Sequence, residues 1–189
     1  MMRVGVVGEY PTDIQSVVNL LNKKYRKDMD FFPLIYDVHG SNLDNPKIKH
    51  QLRREYQIEK PELVIFIRDL DGLEHETDKI KERRSYFNEF NKVIDRRGIL
   101  LLNIYELEAL LLADIDAINR HYKVSIVVED CMAQPDPKGF LKRQIEKYTT
   151  GHNPALFSKL RYANVVSACR YFSSFNTELS RFFKSYSAS

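Results

Sequence analysis

The sequence predicts an α/β fold: a parallel, four-stranded sheet with helices on both faces, followed by a C-terminal helical extension. Short β-branched runs alternate with segments of helical length, in the order expected for strand–helix–strand units. Each crossover in such units is expected to be right-handed. After Tyr105 the pattern changes to leucine-rich and helical segments. We therefore predict an α/β core over residues 1–113 and a mainly helical extension over residues 114–189, packed on that core.

The predicted strands are short runs with the composition of buried strands. They are Arg3–Gly8, Phe31–Val38, Glu62–Arg68 and Ile99–Ile104. Pro33 favours an edge position for the second strand, because proline cannot donate a ladder hydrogen bond. The glycine, asparagine and proline content of His39–Pro46 predicts a loop after that strand.

The predicted helices begin with one capped by Thr12, whose apolar residues recur at helical spacing. Two further helices in the core are expected at Pro46–Ile58 and Glu76–Arg96. Beyond the fourth strand the predicted helices are Glu106–Ala113, Pro137–Tyr148 with Asp136 as its cap, Ala155–Leu160, Asn164–Tyr171 and Thr177–Phe183. Val124–Val128 is expected to add one more strand.

Composition limits the class of protein. The chain has 189 residues, of which 43% are hydrophobic, and a net charge of +3, which permits contact with a polyanion without requiring it. No apolar stretch approaches the roughly 18 residues of a membrane span, and no signal-peptide pattern precedes the first strand. These features predict a soluble, cytoplasmic protein. The two cysteines, Cys131 and Cys169, are expected to be reduced core thiols.

Acidic residues follow three of the predicted strands. Glu9 follows the first, Asp69 and Asp71 follow the third, and Glu106 and Glu108 follow the fourth. All therefore lie at the carboxyl ends of parallel strands, where open α/β sheets bind ligands. With a strand order of 2-1-3-4, Glu9 would face both aspartates across neighbouring strands.

Carboxylates gathered in one small space repel each other unless they bind protons or a cation. Oxygen ligands without cysteine or histidine favour Mg²⁺ or Mn²⁺, and two such ions can promote in-line phosphoryl displacement. An isolated acid after a strand is more often a helix cap or a solvated loop residue, and we interpret Asp13 and Asp114 in that way. Glu106 and Glu108 point in different directions on a helix, so one of them is expected at the site, with Glu108 preferred.

Five segments resemble a known family. VVGEYPTDIQSVVNLL resembles the first strand, catalytic-glutamate turn and first helix of a Toprim domain, and IFIRDLDG resembles its D-x-D strand. NIYELEALLLAD, DPKGFLKRQIEKY and ACRYFSSFNTEL are similar to small bacterial Toprim-like proteins of unknown function related to the overcoming-lysogenization-defect (OLD) nucleases. The resemblance covers nearly the whole chain and implies a Toprim-like, Rossmann-like fold.

The resemblance also implies a function and its residues. Glu9 matches the Toprim glutamate, Asp69 and Asp71 match the D-x-D, and Glu108 matches a further family glutamate. Magnesium-dependent cleavage of nucleic acid, often in phage defence, is the implied activity, with metal ligands Glu9, Asp69, Asp71 and either Glu106 or Glu108. Relatives commonly carry glycine after the first glutamate, whereas this chain carries Tyr10, a difference that bears on activity more than on fold.

Basic residues after the second strand are the candidates for phosphate contacts. They are Lys47, Lys49, Arg53 and Arg54. His39 lies in the preceding loop, where an idle surface histidine is the simpler interpretation. Acidic residues interleave with the basic residues of Lys79–Arg97, as in an ordinary solvated helix.

Three other functions remain open at this point. The same acids suit a phosphohydrolase acting on a small phosphate ester. A phospho-acceptor receiver domain also gathers acids after strands one and three, although it needs a lysine after a fifth strand. A degenerate Toprim module could regulate a partner, such as a separately encoded ATPase. DNA versus RNA as the nucleic acid, and a homodimer versus a monomer, are also open.

Overall fold

The computed structural model of the protein describes residues 1–35 and 45–188. Four strands within these residues form one sheet: β1 (Met2–Val7), β2 (Met29–Pro33), β3 (Leu63–Asp69) and β4 (Gly98–Asn103). All pairings are parallel, and the strand order is β2-β1-β3-β4. The predicted α/β class and strand order are confirmed, and β2 lies at an edge, as Pro33 favoured.

The helices of the described residues connect the strands and then build the extension. They are α1 (Pro11–Tyr25), α2 (Pro46–Glu59), α3 (Thr77–Lys92), α4 (Ala109–Leu112), α5 (Ile115–Tyr122), α6 (Pro137–Gln144), α7 (Asn153–Phe157), α8 (Tyr162–Ala168) and α9 (Arg170–Ser187). A 3-10 turn, Thr150–His152, precedes α7. None of the described helices combines the length and apolar character that a membrane crossing requires.

The central strand β3 is buried on both faces of the sheet. Ile65 and Ile67 pack in a core shared with α1 and the C-terminal helices. Val64 and Phe66, on the alternate face, pack with α2 and α3. This two-sided burial explains why the strand reads as an unbroken apolar run, as strands covered by helices on both faces do.

The C-terminal helices complete the first of these cores. α7 and α8 pack against α1, and α9 packs against the edge strand β4. Phe157, Phe172 and Phe175 are buried there together with Ile65. Residues on both sides of the predicted 113/114 boundary therefore share one apolar core.

Two predictions near the N-terminus are wrong in detail. α1 begins at Pro11, so Tyr10 holds the N-cap position and no side chain caps the helix. Thr12 lies inside the first turn, where its carbonyl oxygen accepts the Ser16 hydroxyl at 2.6 Å. β2 begins at Met29 and ends at Pro33, earlier than predicted. The end of its predicted range, His39 and most of the predicted loop lie outside the described residues.

The predicted strand at Val124–Val128 is not formed. Its alternating apolar residues pack against the helices, and Ile126 is buried. The backbone groups of Ile126 pair with the side-chain amide of Asn119: Ile126 N–H donates to Oδ1 at 2.9 Å, and Nδ2 donates to the Ile126 carbonyl at 2.8 Å. The Asn119 amide therefore forms the backbone hydrogen bonds that a neighbouring strand would otherwise form.

Helix boundaries also differ from the prediction. α3 ends at Lys92, and Asp95 and Arg96 then adopt left-handed backbone angles that turn the chain toward β4. The leucine-rich segment becomes helical only at Ala109, after a left-handed Tyr105. Asp136 caps α6 as predicted, with its carboxylate accepting the Gly139 N–H at 2.9 Å.

Candidate functional site

The carboxyl edge of the sheet brings together the acids that follow β1 and β3. These strands pair directly, with Val7 opposite Phe66. Glu9 follows β1 by two residues and Asp69 is the last residue of β3. The Glu9 carboxylate accepts the backbone N–H of Asp69. The two residues therefore lie at the same edge of neighbouring strands, as expected from the sequence.

Asp69 is the most electrostatically strained carboxyl group of the site. Asn103, its register partner on β4, donates from Nδ2 to Asp69 Oδ1 at 2.9 Å. Burial nonetheless raises the pKa of Asp69 well above its ordinary value, and the nearby charges of Glu9, Asp13 and Glu108 raise it further. Without a cation, burial and these neighbouring charges therefore favour the protonated form of Asp69.

Asp71 lies on an exposed turn that α3 holds in position. Its backbone is left-handed, with φ of 54°, a conformation that aspartate tolerates better than most residues. Arg83 donates from Nη2 to the Asp71 carboxylate at 3.0 Å and from Nε to the Asp69 carbonyl at 3.2 Å. Lys79 binds the Asp71 carbonyl at 2.8 Å. A Cβ at Gly72 would overlap the carboxylate of Glu76 and approach the ammonium group of Lys79, so both side chains pack closely over the turn.

Asp13 belongs to the same group of acids, which corrects its interpretation as a cap or solvated residue. It lies in the first turn of α1 and is half-buried. Burial, together with the charges of Glu108 and Glu9, raises its pKa to about 7. Lys138 and a backbone N–H lower the pKa only in part. The E-x-x-x-D spacing from Glu9 is the sequence signal for Asp13, since four residues span the strand-to-helix turn.

Glu106 and Glu108 have different surroundings. The Glu106 carboxylate pairs with Lys138, at 2.7 Å from Nζ and 3.2 Å from the backbone N–H. Glu108 is 5% exposed, and its Oε1 accepts hydrogen bonds from Asn153 at 3.0 Å and Tyr148 at 3.3 Å. Of the two, Glu108 acts on the pKa values of Asp69 and Asp13. This arrangement favours Glu108 over Glu106 as the glutamate that acts together with Asp69 and Asp13.

Basic side chains offset part of this negative charge. Arg68, only 3% exposed, places Nε 3.3 Å from Glu9 Oε1 and its guanidinium 5.1 Å from the centre of the Tyr86 ring. Burial raises the pKa of Glu9, and Arg68 opposes that rise without cancelling it. Burial lowers the pKa of Lys138, but the hydrogen bond and charge of Glu106 outweigh it and leave the pKa raised.

Among residues 1–35 and 45–188, the acids of this site nevertheless outnumber the bases that form the ion pairs described with them. We call the following residues the acidic cluster: Glu9, Asp13, Asp69, Asp71, Glu106 and Glu108. The bases paired with it are Arg68, Arg83 and Lys138. Carboxylate oxygens are the donors that Mg²⁺ and Mn²⁺ prefer, so the chemistry of the donors fits these ions. Within residues 1–35 and 45–188, however, no three acidic, histidine or cysteine side chains are grouped closely enough to hold a metal ion.

Asp114, the other acid interpreted as a cap or solvated residue, is a buried ion-pair partner. Its side chain is 1% exposed and accepts hydrogen bonds from Arg161 Nη2 at 2.9 Å, the Arg161 backbone N–H at 2.7 Å and Asn164 Nδ2 at 2.9 Å. Burial raises the pKa of Asp114, but these donors outweigh it and leave the pKa lowered. Asp114 therefore stabilises the fold and lies outside the acidic cluster.

The predicted phosphate-binding residues all lie on α2. Lys49 pairs with Glu89 at 3.2 Å, and Arg54 pairs with its neighbour Glu55 at 2.5 Å. Lys47 and Arg53 are exposed. A helix that connects two parallel strands runs opposite to them, so the N-terminal end of α2, with Lys47, points toward the carboxyl edge of the sheet.

Comparison with known proteins identifies the family of the chain but does not indicate an activity. No curated protein and no solved structure matches the chain. The family model described as "Domain of unknown function (DUF4276)" matches residues 9–180. This match begins at Glu9 and spans every member of the acidic cluster. The chain therefore belongs to the DUF4276 family.

Proposed function

We propose that the protein is a divalent-metal-dependent phosphodiesterase that cleaves nucleic acid, in the manner of a Toprim-type nuclease. One observation carries the proposal: Asp69, at the carboxyl end of β3, has a strongly raised pKa and lies beside Glu9 after β1, Asp13 on α1 and Glu108 after β4. A fold gains nothing from such crowding, because each added charge raises the free energy of the metal-free state. Functional sites are where perturbed carboxyl groups concentrate.

A divalent cation resolves this crowding better than protons do. Protonation neutralises one carboxylate at a time, whereas one Mg²⁺ or Mn²⁺ interacts with several at once. Binding of the ion would therefore displace protons from groups such as Asp69 and Asp13 near neutral pH.

Glu9, Asp69 and Asp71 are the proposed ligands, with Asp13 and Glu108 completing the set. Glu9 and Asp71 now pair with Arg68 and Arg83, so ion binding requires these carboxylates to turn away from their arginines. The released guanidinium groups would then be available to the phosphate, which arginine binds through paired hydrogen bonds. The metal would make a bound water more acidic and stabilise charge on the displaced oxygen.

The substrate class rests on charge and on the resemblance to Toprim proteins. Lys47 and Arg53, exposed on α2, are the proposed contacts to the nucleic-acid backbone, with Lys49 and Arg54 available once they leave their acidic partners. The proposal includes a cytoplasmic location and a role in phage or plasmid defence, both of which rest on the sequence.

A cleavage assay tests the proposal. Single- and double-stranded DNA and RNA are incubated with purified protein and either Mg²⁺ or Mn²⁺, with and without EDTA. We expect metal-dependent cleavage that Asp69→Asn reduces on the order of 10³-fold, since metal stabilisation of the transition state is worth several kcal/mol. Asp78→Asn is the matched control, because Asp78 is 96% exposed on α3.

Each alternative outcome has a distinct meaning. Cleavage that persists in EDTA or in Asp69→Asn would overturn the proposal. Hydrolysis of a small phosphate ester without cleavage of any nucleic acid would favour the phosphohydrolase. Metal binding without hydrolysis, restored to hydrolysis by a co-purified ATPase, would favour the partner-dependent module.

A further inference from the structure

The chain's two cysteines lie together at the start of α9. Cys131 and Cys169 are both buried, free and 4% exposed, which confirms the predicted core thiols. The Cys131 thiol donates to the Ala168 carbonyl oxygen at 3.6 Å, and it lies close enough to the thiol of Cys169 for each to shift the pKa of the other. The Arg170 N–H donates to Met132 Sδ at 3.3 Å, so the two residues that directly follow the cysteines in the sequence are also in contact.

The surroundings of the two thiols differ and shift their pKa values in opposite directions. Cys169 holds the N-cap position of α9, an 18-residue helix. The neighbouring Cys131 thiol and the backbone N–H groups of the first turn of α9 lower the pKa of Cys169 to about 7 despite burial. The positive end of the helix dipole and Arg170 act in the same direction. The neighbouring Cys169 thiol and burial raise the pKa of Cys131.

We propose that Cys131 and Cys169 form a redox-active dithiol that hydrogen peroxide converts into an intramolecular disulfide. Cys169 is the attacking thiolate and Cys131 is the resolving thiol. The inference rests on the contact between the two thiols and on the position of Cys169 at the start of α9. It is independent of the proposed nuclease activity.

The chemistry balances with peroxide as the only oxidant. The Cys169 thiolate attacks one peroxide oxygen, so that an S–O bond forms, the O–O bond breaks and the departing oxygen leaves as water after protonation. The Cys131 sulfur then attacks the sulfenic sulfur of Cys169. The S–S bond forms, the S–O bond breaks, and the hydroxyl group leaves as water with the Cys131 proton. Two thiols are oxidised, and one peroxide is reduced to two waters.

Proximity makes the second step fast relative to further oxidation. A sulfenic acid that finds a thiol condenses with it, whereas an isolated sulfenic acid proceeds to the irreversible sulfinic acid. Because Cys131 already contacts Cys169, the disulfide needs no large rearrangement to form. Dithiols of this kind in reducing compartments are typically transient and serve as sensors.

The test uses the full-length protein and thiol chemistry as the readout. Reduced protein is treated with hydrogen peroxide, quenched with catalase, denatured and alkylated, and its intact mass is measured. We expect treated wild type to accept no alkyl group, to be two hydrogen atoms lighter than reduced protein, and to remain monomeric on a non-reducing gel. Dithiothreitol should restore both alkylations. Two alkylated thiols after treatment, or a gain of oxygen without a disulfide, would overturn the proposal.

Single-cysteine variants assign the two roles. In Cys131→Ser, the Cys169 sulfenic acid has no partner and should be trapped by dimedone. In Cys169→Ser, Cys131 should react with peroxide at least about tenfold more slowly, because it lacks the donors that favour a thiolate. Equal rates in the two variants would contradict the assignment of Cys169 as the attacking thiol. The wild-type mass measurement decides the disulfide itself even if a variant folds poorly.

Discussion

Replacing Asp13 with asparagine removes one carboxylate from the acidic cluster and should stabilise the metal-free protein. The pKa of Asp13 rises from 3.8 to about 7 on folding, chiefly through burial and then through Glu108 and Glu9. A shift of about three units corresponds to about 4 kcal/mol at 1.36 kcal/mol per unit. Because Asp13 keeps partial contact with water, we expect a gain of about 2–4 kcal/mol at alkaline pH.

The helix dipole opposes this gain but does not reverse it. An acid in the first turn of a helix, as Asp13 is in α1, stabilises by about 0.3–1 kcal/mol. That benefit is smaller than the cost of ionising a half-buried carboxyl group beside two other acids. Asp13→Asn should therefore be a stabilising substitution even though it removes a favourable charge from the helix N-terminus.

The gain should depend on pH in a defined direction. Asp13 has a raised pKa in the folded state, so its protonated form contributes stability that is fully present below the unfolded pKa of 3.8. That stability is lost progressively as pH rises, and the loss is complete once Asp13 itself ionises near pH 7. The variant and the wild type should therefore differ little at about pH 4 and most at about pH 8.

Urea denaturation at both pH values, with EDTA present, measures this difference. Asp78→Asn is the control, because Asp78 occupies the first turn of α3 but is 96% exposed. It should change stability by no more than about 1 kcal/mol, and in the destabilising direction. The reasoning is refuted if Asp13→Asn is neutral or destabilising at about pH 8, or if its gain is equal at both pH values.

Three further predictions address the metal, the substrate and the fold. Saturating Mg²⁺ or Mn²⁺, at about 100 times Kd, should stabilise wild type by about 2.7 kcal/mol and raise its Tm, and Asp69→Asn should abolish the rise; an equal rise in that variant would indicate binding elsewhere. Arg53→Ala should weaken nucleic-acid binding and reduce its logarithmic salt slope by about 0.9, whereas Lys49→Ala, whose charge is shared with a glutamate, should do less; equal slopes in filter binding would contradict this. Asp114→Ala should cost about 2–3 kcal/mol in urea denaturation, because it leaves Arg161 without its buried partner; a neutral result would remove its structural role.

The sheet could be predicted because its central strands, β1 and β3, are buried on both faces. Such strands, β3 above all, read as unbroken apolar runs that no surface helix would carry. Their order, β2-β1-β3-β4, is the one assumed for the site, and the edge position of β2 agrees with the preference of Pro33. The helix ends were harder, since they depend on single backbone angles such as those of Tyr105 and Asp95, which local composition does not determine.

The prediction of a strand at Val124–Val128 was wrong because alternating apolar and polar residues indicate only that one side of the segment is buried. They do not show that its backbone pairs with a neighbouring strand. The side-chain amide of Asn119 forms hydrogen bonds with the backbone N–H and carbonyl of Ile126, and no sequence pattern predicts such a contact. α5, which carries Asn119, was not predicted at all. α5 has only eight residues, and a helix of that length depends on tertiary packing for its stability.

The site could be predicted in part for a similar reason. Glu9 and Asp69 follow strands that pair, so strand order alone brings them to one edge. The role of Asp13 was missed because its raised pKa depends first on burial and then on Glu108, which is far away in the sequence. The partners of Glu108, Tyr148 and Asn153, lie in the C-terminal helical region and could not be foreseen from the strand pattern.

Titration of Mn²⁺ into the metal-free protein at about pH 7 tests the proposed metal centre most directly. Calorimetry in two buffers of different ionisation enthalpy measures both ion binding and proton release. Because Asp69 and Asp13 have raised pKa values, we predict saturable binding that releases on the order of one proton per ion and is lost in Asp69→Asn. Binding that releases no protons, or that is unchanged in Asp69→Asn, would contradict a metal centre in the acidic cluster.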